Sequence, residues 1–486
     1  MHILRKRENQ SRQAGAGMKK EYLIQENPWK ALLLFAFPMI IGNLFQQFYN
    51  MVDSVIVGRF IDENALAAVG ASYSLTTVFI SIAIGGGMGA SVITSMYFGA
   101  REYKKMKISI RTALLTFLIL GMMLAGIGLL FSRPIMMALR TPDNILDQAV
   151  LYLNIYFLGL PFLFMYNILA AMFNALGRSR VPLILLIFSS VFNVGLDIYM
   201  VCSLRLGVAG VAWATLIAQG ISAVIAIILL VRELKGYETK GQQHTWFDGG
   251  ELGNMARVAL PSILQQSTVS IGMMLVQSVV NSFGSEMLAG YSAASRVESL
   301  CVVPMAAVGN AISSYTAQNL GADRPERVRQ GYHAAYGIIG GFAVLICVIL
   351  ESGYSQIMHL FLGEEGTHLA LQTGNEYLRF LGWFFLLIGL KMTTDGLLRG
   401  AGDMKAFTIA NLVNLSIRVV VAFAFAPLYG IRMVWIAVPI GWLANYIISY
   451  AEYRTGKWKI IRRHGQSGGT GDIIGRESDK EEAGQK

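Results

Sequence analysis

Long apolar runs separated by short polar segments dominate the chain. Twelve of them, at 31–57, 65–97, 108–131, 149–176, 182–203, 208–231, 258–282, 287–317, 332–351, 369–398, 406–427 and 431–452, could each cross a bilayer. A crossing helix takes about 20 apolar residues, at a rise of about 1.5 Å per residue through about 30 Å of hydrocarbon. The runs that exceed one crossing predict helices that tilt, bend or project beyond the membrane. Apolar and polar positions do not alternate in the manner of a β-barrel. The pattern predicts an all-α polytopic membrane protein of twelve transmembrane helices.

The same pattern repeats. FGARE from Phe98 echoes in LGADR from Leu320, and Phe37-Pro38 in Leu260-Pro261. ALGRSR at 175–180 corresponds to RGAGDMK at 399–405, and LGVAGVAWA at 206–214 to YGIRMVWIA at 429–437. The offset stays near 222–225 residues. Each unit holds six spans, an even number, so the halves face the same way as parallel repeats, with a substrate pathway between them. The expected organisation is a disordered basic tail (1–20), an N-terminal six-helix lobe (21–231) and a linker (232–257). A C-terminal six-helix lobe (258–453) and a second polar tail (454–486) complete it.

Composition agrees with burial in lipid: 54% of the 486 residues are hydrophobic and 14% charged, against roughly a quarter charged in soluble domains. The net charge of +10 would suit nucleic acid, but its placement follows the membrane. With an inside N-terminus, the inner loops hold five, two, four, three and two Lys/Arg, and the tails seven and eight. The outer loops hold Arg59, Arg133, Arg140, Arg205 and Arg432. That bias is the positive-inside signature and places both termini in the cytoplasm of a bacterial cell, with the chain in the cytoplasmic membrane and no nucleic-acid partner. Cys202, Cys301 and Cys347 form no CxxC pair and read as packing residues.

Charge inside a span costs from about 3 kcal/mol upward, so each polar group there asks for a partner or a purpose. The first run carries Asn43, Gln46, Gln47, Tyr49, Asn50 and Asp53; Asn43, Gln46, Asn50 and Asp53 share one broad helical face. Pro38 removes a backbone hydrogen bond upstream and reads as a hinge. Asn193 and Asp197 stack at i,i+4 in the fifth run, and Thr215 follows in the sixth. These groups can converge as an all-oxygen site for Na⁺ or as a carboxylate pair that holds H⁺; Asp197 can equally close its helix near the outer surface. The second half differs. Gln277 stands where the first half has Asp53, and its ionisable groups are Arg296 and Glu298, then Lys391 and Asp395 at i,i+4, then Arg418. Lys391 and Asp395 can pair with each other, or these residues can line the cleft with Gln46, Asn50 and Gln277.

Several chemistries are absent. GYETKGQ at 236–242 lacks the lysine of a phosphate-binding loop, and the six histidines form no zinc pattern. Gly85-Gly86-Gly87-Met88-Gly89 lies within a span, where close helix packing is the natural use. No catalytic residue, cofactor or metal site is expected beyond a coupling ion, H⁺ or Na⁺.

YNMVDSVIVG (49–58), FGARE, ALGRSRVP (175–182), NVGLD (193–197), GVAGVAWAT (207–215), ASRVES (294–299) and LRGAGD (398–403) together resemble the multidrug and toxic compound extrusion (MATE) family, in its Gram-positive form, over roughly residues 30–455. The resemblance implies two six-helix lobes around a central cleft and export of organic compounds driven by inward H⁺ or Na⁺. It places the coupling site on Tyr49, Asp53, Asn193, Asp197 and Thr215. It also implies a monomer whose partners are small organic substrates and membrane lipids. A flippase for lipid-linked oligosaccharide would share the architecture, and a membrane-embedded transferase would need an outer-loop constellation that the chain lacks. The topology has a direct test on a cysteine-free background: a cysteine in 101–107 should be labelled only from the cytoplasm, and one in 361–367 only from outside. The reverse pattern would overturn the twelve-span order.

Overall fold

The computed structural model describes residues 21–60, 63–237, 245–363 and 366–459, and within them every side chain but those of 53–60, 63–66 and 74. The two outermost tails, 1–20 and 460–486, therefore lie outside the described residues, as do 238–244 of the linker. A short turn, α1 (Tyr22–Gln25), precedes the first half: α2 (Pro28–Phe60), α3 (Glu63–Gly99), α4 (Tyr103–Ala138), α5 (Asp143–Ala175), α6 (Arg180–Ile198) and α7 (Gly207–Lys235). The second half comprises α8 (Gly249–Asn281), α9 (Ser285–Gly321), α10 (Pro325–Leu362), α11 (His368–Gly382), α12 (Phe385–Gly400), α13 (Met404–Tyr429) and α14 (Arg432–Thr455).

Eleven of these helices are long and apolar enough to cross a membrane, and α11 with α12 supplies a twelfth crossing bent by 56°. The break falls at Trp383-Phe384, inside the run expected as one span from 369 to 398. Most helices overrun their apolar stretch: α7 continues to Lys235, and α8 begins at Gly249. Asp248 caps α8, its Oδ1 accepting from the N–H groups of Gly250 and Glu251 at 2.8 and 3.1 Å. The second half also runs past 453, because α14 reaches Thr455 and a 3₁₀ turn (Lys457–Lys459) buries Trp458 against Tyr453.

The duplication is visible in backbone geometry. Arg101 and Asp323, at the same place in the FGARE and LGADR turns, take left-handed φ of 57° and 55°. Just before them the ends of α3 and α9 cross in close backbone contact between the halves. A Cβ on Gly99 would lie 2.0 Å from the Gln318 carbonyl oxygen, and one on Gly321 would lie 2.1 Å from that of Met96. Only glycine fits either place, as at small-residue crossings generally. Gln318 then reaches the other half, donating from Nε2 to the Ala175 carbonyl at 2.8 Å.

Packing does not divide the chain at the linker. The base of α2, with Ala31, Leu32, Phe35 and Ala36, belongs to the apolar core of the second half, together with Ala311, Ile312 and Ala335. Met255 at the base of α8 belongs to the core of the first. Each half thus lends the start of its first helix to the other, and Pro38 and Pro261 lie above these borrowed segments. The GGGMG segment serves the same exchange: a Cβ on Gly89 would lie 2.3 Å from the backbone nitrogen of Ala259 in α8.

The α1 turn straps this end shut. Arg101 donates to both carboxylate oxygens of Glu21, at 3.1 and 2.7 Å, and Tyr22 Oη donates to the Gly177 carbonyl at 2.9 Å, all in the first half. Burial pushes the Tyr22 phenol well above its ordinary value, so it remains a donor through the neutral range. Toward the second half, Asn319, Arg324 and Arg327 donate to the carbonyls of Leu23, Ile24 and Glu26 at 3.0, 3.2 and 2.6 Å. The glycine crossing makes a prediction. Gly99→Ala and Gly321→Ala should each lower the thermal unfolding midpoint of the purified protein, at an overpacking cost of about 1–3 kcal/mol. The pair should be non-additive because both sit at one contact. Unchanged midpoints would show that the crossing is loose.

Candidate functional site

In the first half, α2, α6 and α7 bring together side chains far apart in sequence. Tyr49 Oη lies 2.6 Å from the Asn193 amide, across 144 residues. The amide is best satisfied with its nitrogen toward Asp197 Oδ2 at 3.0 Å and Tyr49 Oη, and its oxygen accepting from the Thr215 N–H at 3.1 Å. Asn193 and Asp197 are almost fully buried, at 2% and 0% exposure. Immediately after Asp197, α6 widens into a π-turn, Tyr199–Ser203. Such a turn inserts an extra residue into the helix and recurs at functional sites.

Four of the five expected coupling residues, Tyr49, Asn193, Asp197 and Thr215, are thus in one place. Asp53 stands one turn beyond Tyr49 on α2, and its side chain lies outside the described residues. Gln46 donates to Asn50 at 3.0 Å along the same helix. Pro38 lies within α2 and borders a groove of about 600 Å³, lined by Leu33, Leu34, Phe37, Ile41, Leu183 and Ile184, with Arg180 also at its wall. The groove lies on an exposed apolar flank of the helix, beside the place where its hydrogen-bond ladder is interrupted.

The second half distributes its polar groups differently. Lys391 and Asp395, for which the sequence left an internal pair and a place along the cleft both open, are buried inside the lobe at 5% and 3% exposure and joined by a 3.0 Å ion pair. Asn411 clamps the pair, accepting from Lys391 Nζ at 3.0 Å and donating to Asp395 Oδ2 at 3.2 Å. Ser449 donates to Asp395 Oδ1 at 2.7 Å. The lobe interior closes over these charges because each is hydrogen-bonded, the condition under which a membrane core tolerates them. Next to them Tyr332 contacts Tyr336 and Thr394, and Tyr336 also meets Tyr446 at 3.2 Å. Gln277 bonds along its own helix to Asn281 at 3.3 Å and joins no cluster. Glu298 accepts from Tyr377 Oη at 2.5 Å. Arg296 is exposed and makes no ion pair among the described residues, while Arg418 is half-buried.

Two features escaped the sequence reading. Arg399, counted with an inner loop, lies buried at the end of α12, donating to Asn310 Oδ1 at 2.8 Å and Ser313 Oγ at 3.3 Å. Its neighbours in LRGAGD resemble a turn, and the partners on α9, with Met88 on α3, make it internal. Asn411 and Ser449 were missed because single neutral polar residues in apolar runs look unremarkable; their i,i+4 neighbours give no charge to flag them.

The family model described as MatE matches residues 38–199 and 261–424, one match in each half. The probable multidrug resistance protein YpnP of Bacillus subtilis is 29% identical over 92% of this chain and 99% of its own. The multidrug export protein MepA of Staphylococcus aureus is 23% identical over 89% of this chain and 96% of its own. In fold, the chain is similar to an outward-facing multidrug resistance transporter of the MATE family, with a TM-score of 0.82 over 90% of this chain and 98% of the other at 24% identity.

The buried pair in the second half makes a prediction. Lys391→Met strands Asp395 and should destabilise the protein by about 3–5 kcal/mol. Adding Asp395→Asn should recover most of that loss, because no uncompensated charge is left. Thermal unfolding of the two purified variants measures it, and a double variant as unstable as the single one would refute the pairing argument.

Proposed function

This chain belongs to the MATE family, and on that premise we propose that it is a secondary active exporter of amphipathic, often cationic organic compounds, exchanging them by alternating access for an inward-moving cation. It would act as a monomer in the bacterial cytoplasmic membrane with both ends in the cytoplasm. The observation that carries the coupling assignment is the meeting of Tyr49, Asn193, Asp197 and Thr215 from three helices around a buried amide and carboxylate.

A buried carboxylate is costly when ionised and cheap when it holds a proton. A proton neutralises that carboxylate without requiring the further oxygen ligands that sodium needs, which favours H⁺ as the coupling ion. Protonation at Oδ2 would convert that oxygen from acceptor to donor, and the Asn193 amide would then have to give up its bond to Asp197 or turn over. Turning over exchanges the group that Asn193 presents to Tyr49. Tyr49 sits on α2, whose base is embedded in the other half, and Pro38 lies between the two anchorages. A change at the cluster therefore pulls on a helix anchored in both lobes, with a proline between the anchorages where a backbone hydrogen bond is already missing. Drug and proton compete through the conformations they favour, without sharing a contact.

Efflux of ethidium from proteoliposomes tests this. Asp53→Asn and Asp197→Asn should each reduce export to background while leaving folded protein in the membrane, since asparagine keeps volume and hydrogen bonding but cannot exchange a proton. The double variant should be little worse than either single one if both act in one step. Bound drug should be released on acidification with no sodium present. Losses that multiply, or release that requires sodium, would overturn the shared-proton assignment.

A further inference from the structure

The groove beside Pro38 has walls that belong to different lobes. On the base of α2, Leu32, Phe35 and Ala36 turn into the core of the second half, which leaves Leu33, Leu34 and Phe37 exposed on another flank. Leu183 and Ile184 of α6 form the facing wall, and Leu185 beside them packs into the core of the first half. Further along α2 the helices meet, where a Cβ on Gly42 would stand 3.6 and 3.7 Å from Leu183 and Leu186. Before that contact the walls part around about 600 Å³. Phe37 and Ile184 are 60% and 64% exposed there. Both helices are long and apolar enough to cross a bilayer, so what stands against these open flanks is lipid.

Hydrocarbon alone would make such a groove unselective, because an acyl chain gains little by leaving one apolar surface for another. Arg180 changes that. It is the first residue of α6, it is exposed, and among the described residues it is the only charged side chain lining the groove. Other cations at the foot of these helices are engaged: Glu233 holds Arg178 at 3.1 Å, and Glu26 holds Lys30 at 2.9 Å. Arg180 makes no ion pair among the described residues. A guanidinium at the edge of hydrocarbon is costly without a counter-charge. Its fork matches two oxygens of a phosphate. A free fork beside an apolar groove therefore suits a molecule that joins an acyl chain to a phosphodiester, as basic pockets between spanning helices suit anionic lipid headgroups.

We propose that the groove between α2 and α6 is a binding site for one anionic phospholipid, with an acyl chain against Leu34, Phe37 and Ile184 and the phosphate on Arg180. With both ends of the chain in the cytoplasm, that lipid belongs to the cytoplasmic leaflet. A zwitterionic phospholipid reaches the same groove, but its ammonium group offsets its phosphate at Arg180. The site is independent of export and needs only that α2 and α6 cross a membrane. Its occupant touches the two helices that also meet through Tyr49 and Asn193.

Quenching by brominated acyl chains reads occupancy locally. Phe37→Trp puts an indole on the groove wall, and its fluorescence is the difference from full-length protein without that change. In vesicles of mixed phosphatidylglycerol and phosphatidylcholine, with one lipid or the other brominated, quenching gives the preference at the groove. Phosphatidylglycerol should be preferred about tenfold, the scale of a charge-assisted hydrogen bond. Arg180→Gln should remove most of that preference. Arg180→Lys, which keeps the charge and loses the fork, should retain part of it and tests the site even where Arg180→Gln folds poorly. Lys104→Gln, at an exposed cation in the first turn of α4, should leave the preference intact. Equal quenching by the two lipids would leave only unselective lipid contact and overturn the proposal. So would a preference that survives Arg180→Gln, or one that Lys104→Gln lowers as much, since surface charge alone would then account for it. Quenching by neither lipid would mean that something else covers the groove, such as a second copy of this chain, and would overturn the proposal equally.

Discussion

Two helix backbones can approach to van der Waals contact only where no side chain stands between them, and the crossing of α3 with α9 meets that condition at both of its contacts. Gly99 lies against Gln318 and Gly321 against Met96, in a reciprocal arrangement that the duplication produces. The neighbouring contacts assume that spacing. Gln318 can reach Ala175 only because the helices are this close, and α1 can hydrogen-bond to both halves only because their ends lie side by side. Lipid supplies no hydrophobic drive for helix association, so close packing and interhelical hydrogen bonds must hold the seam. Both are concentrated at this end. The other end of each lobe can therefore separate while this one remains closed.

The borrowed helix bases make the lobes mechanically dependent. The base of α2 is fixed in the second core while Tyr49 is hydrogen-bonded in the first, so the lobes cannot rotate apart without flexing α2. Proline is found where that flexing would occur, in α2 and at the matching place in α8. A kink costs less at a site that has already lost a backbone hydrogen bond. Chemistry at one lobe thus has a rigid connection to the other with a single compliant point.

Much of this was legible in the sequence because it rests on patterns that survive without contacts. Span number follows from apolar run length, and the repeat follows from glycine-bearing turns that need their backbone conformation in both copies. Asn193 and Asp197 were conspicuous through their spacing and charge in an apolar run. Less was legible where a residue's role is set by what crosses it. Arg399 reads as a loop cation until Asn310 and Ser313 are seen to enclose it. The π-turn after Asp197 has no compositional signature, and the bend at Trp383-Phe384 carries no proline to announce it. The exchange of helix bases was invisible for the same reason: an apolar face shows that it is buried, not against which half.

The unequal treatment of charge in the two halves has a thermodynamic consequence for coupling. An ion can drive transport only if its binding free energy differs between two conformations, so the site must be able to lose the ion. At Asp395 the counter-charge is Lys391, one helical turn away on the same chain, with Asn411 and Ser449 holding the carboxylate in place. That cation is covalently attached and remains beside the carboxylate on both sides of the membrane, so it carries no net flux and supplies no gradient energy. The group that Asn193 offers to Asp197 is a neutral amide, itself bonded to Tyr49 and Thr215, and such an amide can reverse its donor and acceptor ends as a proton arrives or leaves. A duplicated scaffold whose halves both exchanged ions would need two coordinated events per cycle. Under the proposed coupling at Asp197, tethering the cation in the second half leaves that half as a fixed frame against which the first can respond.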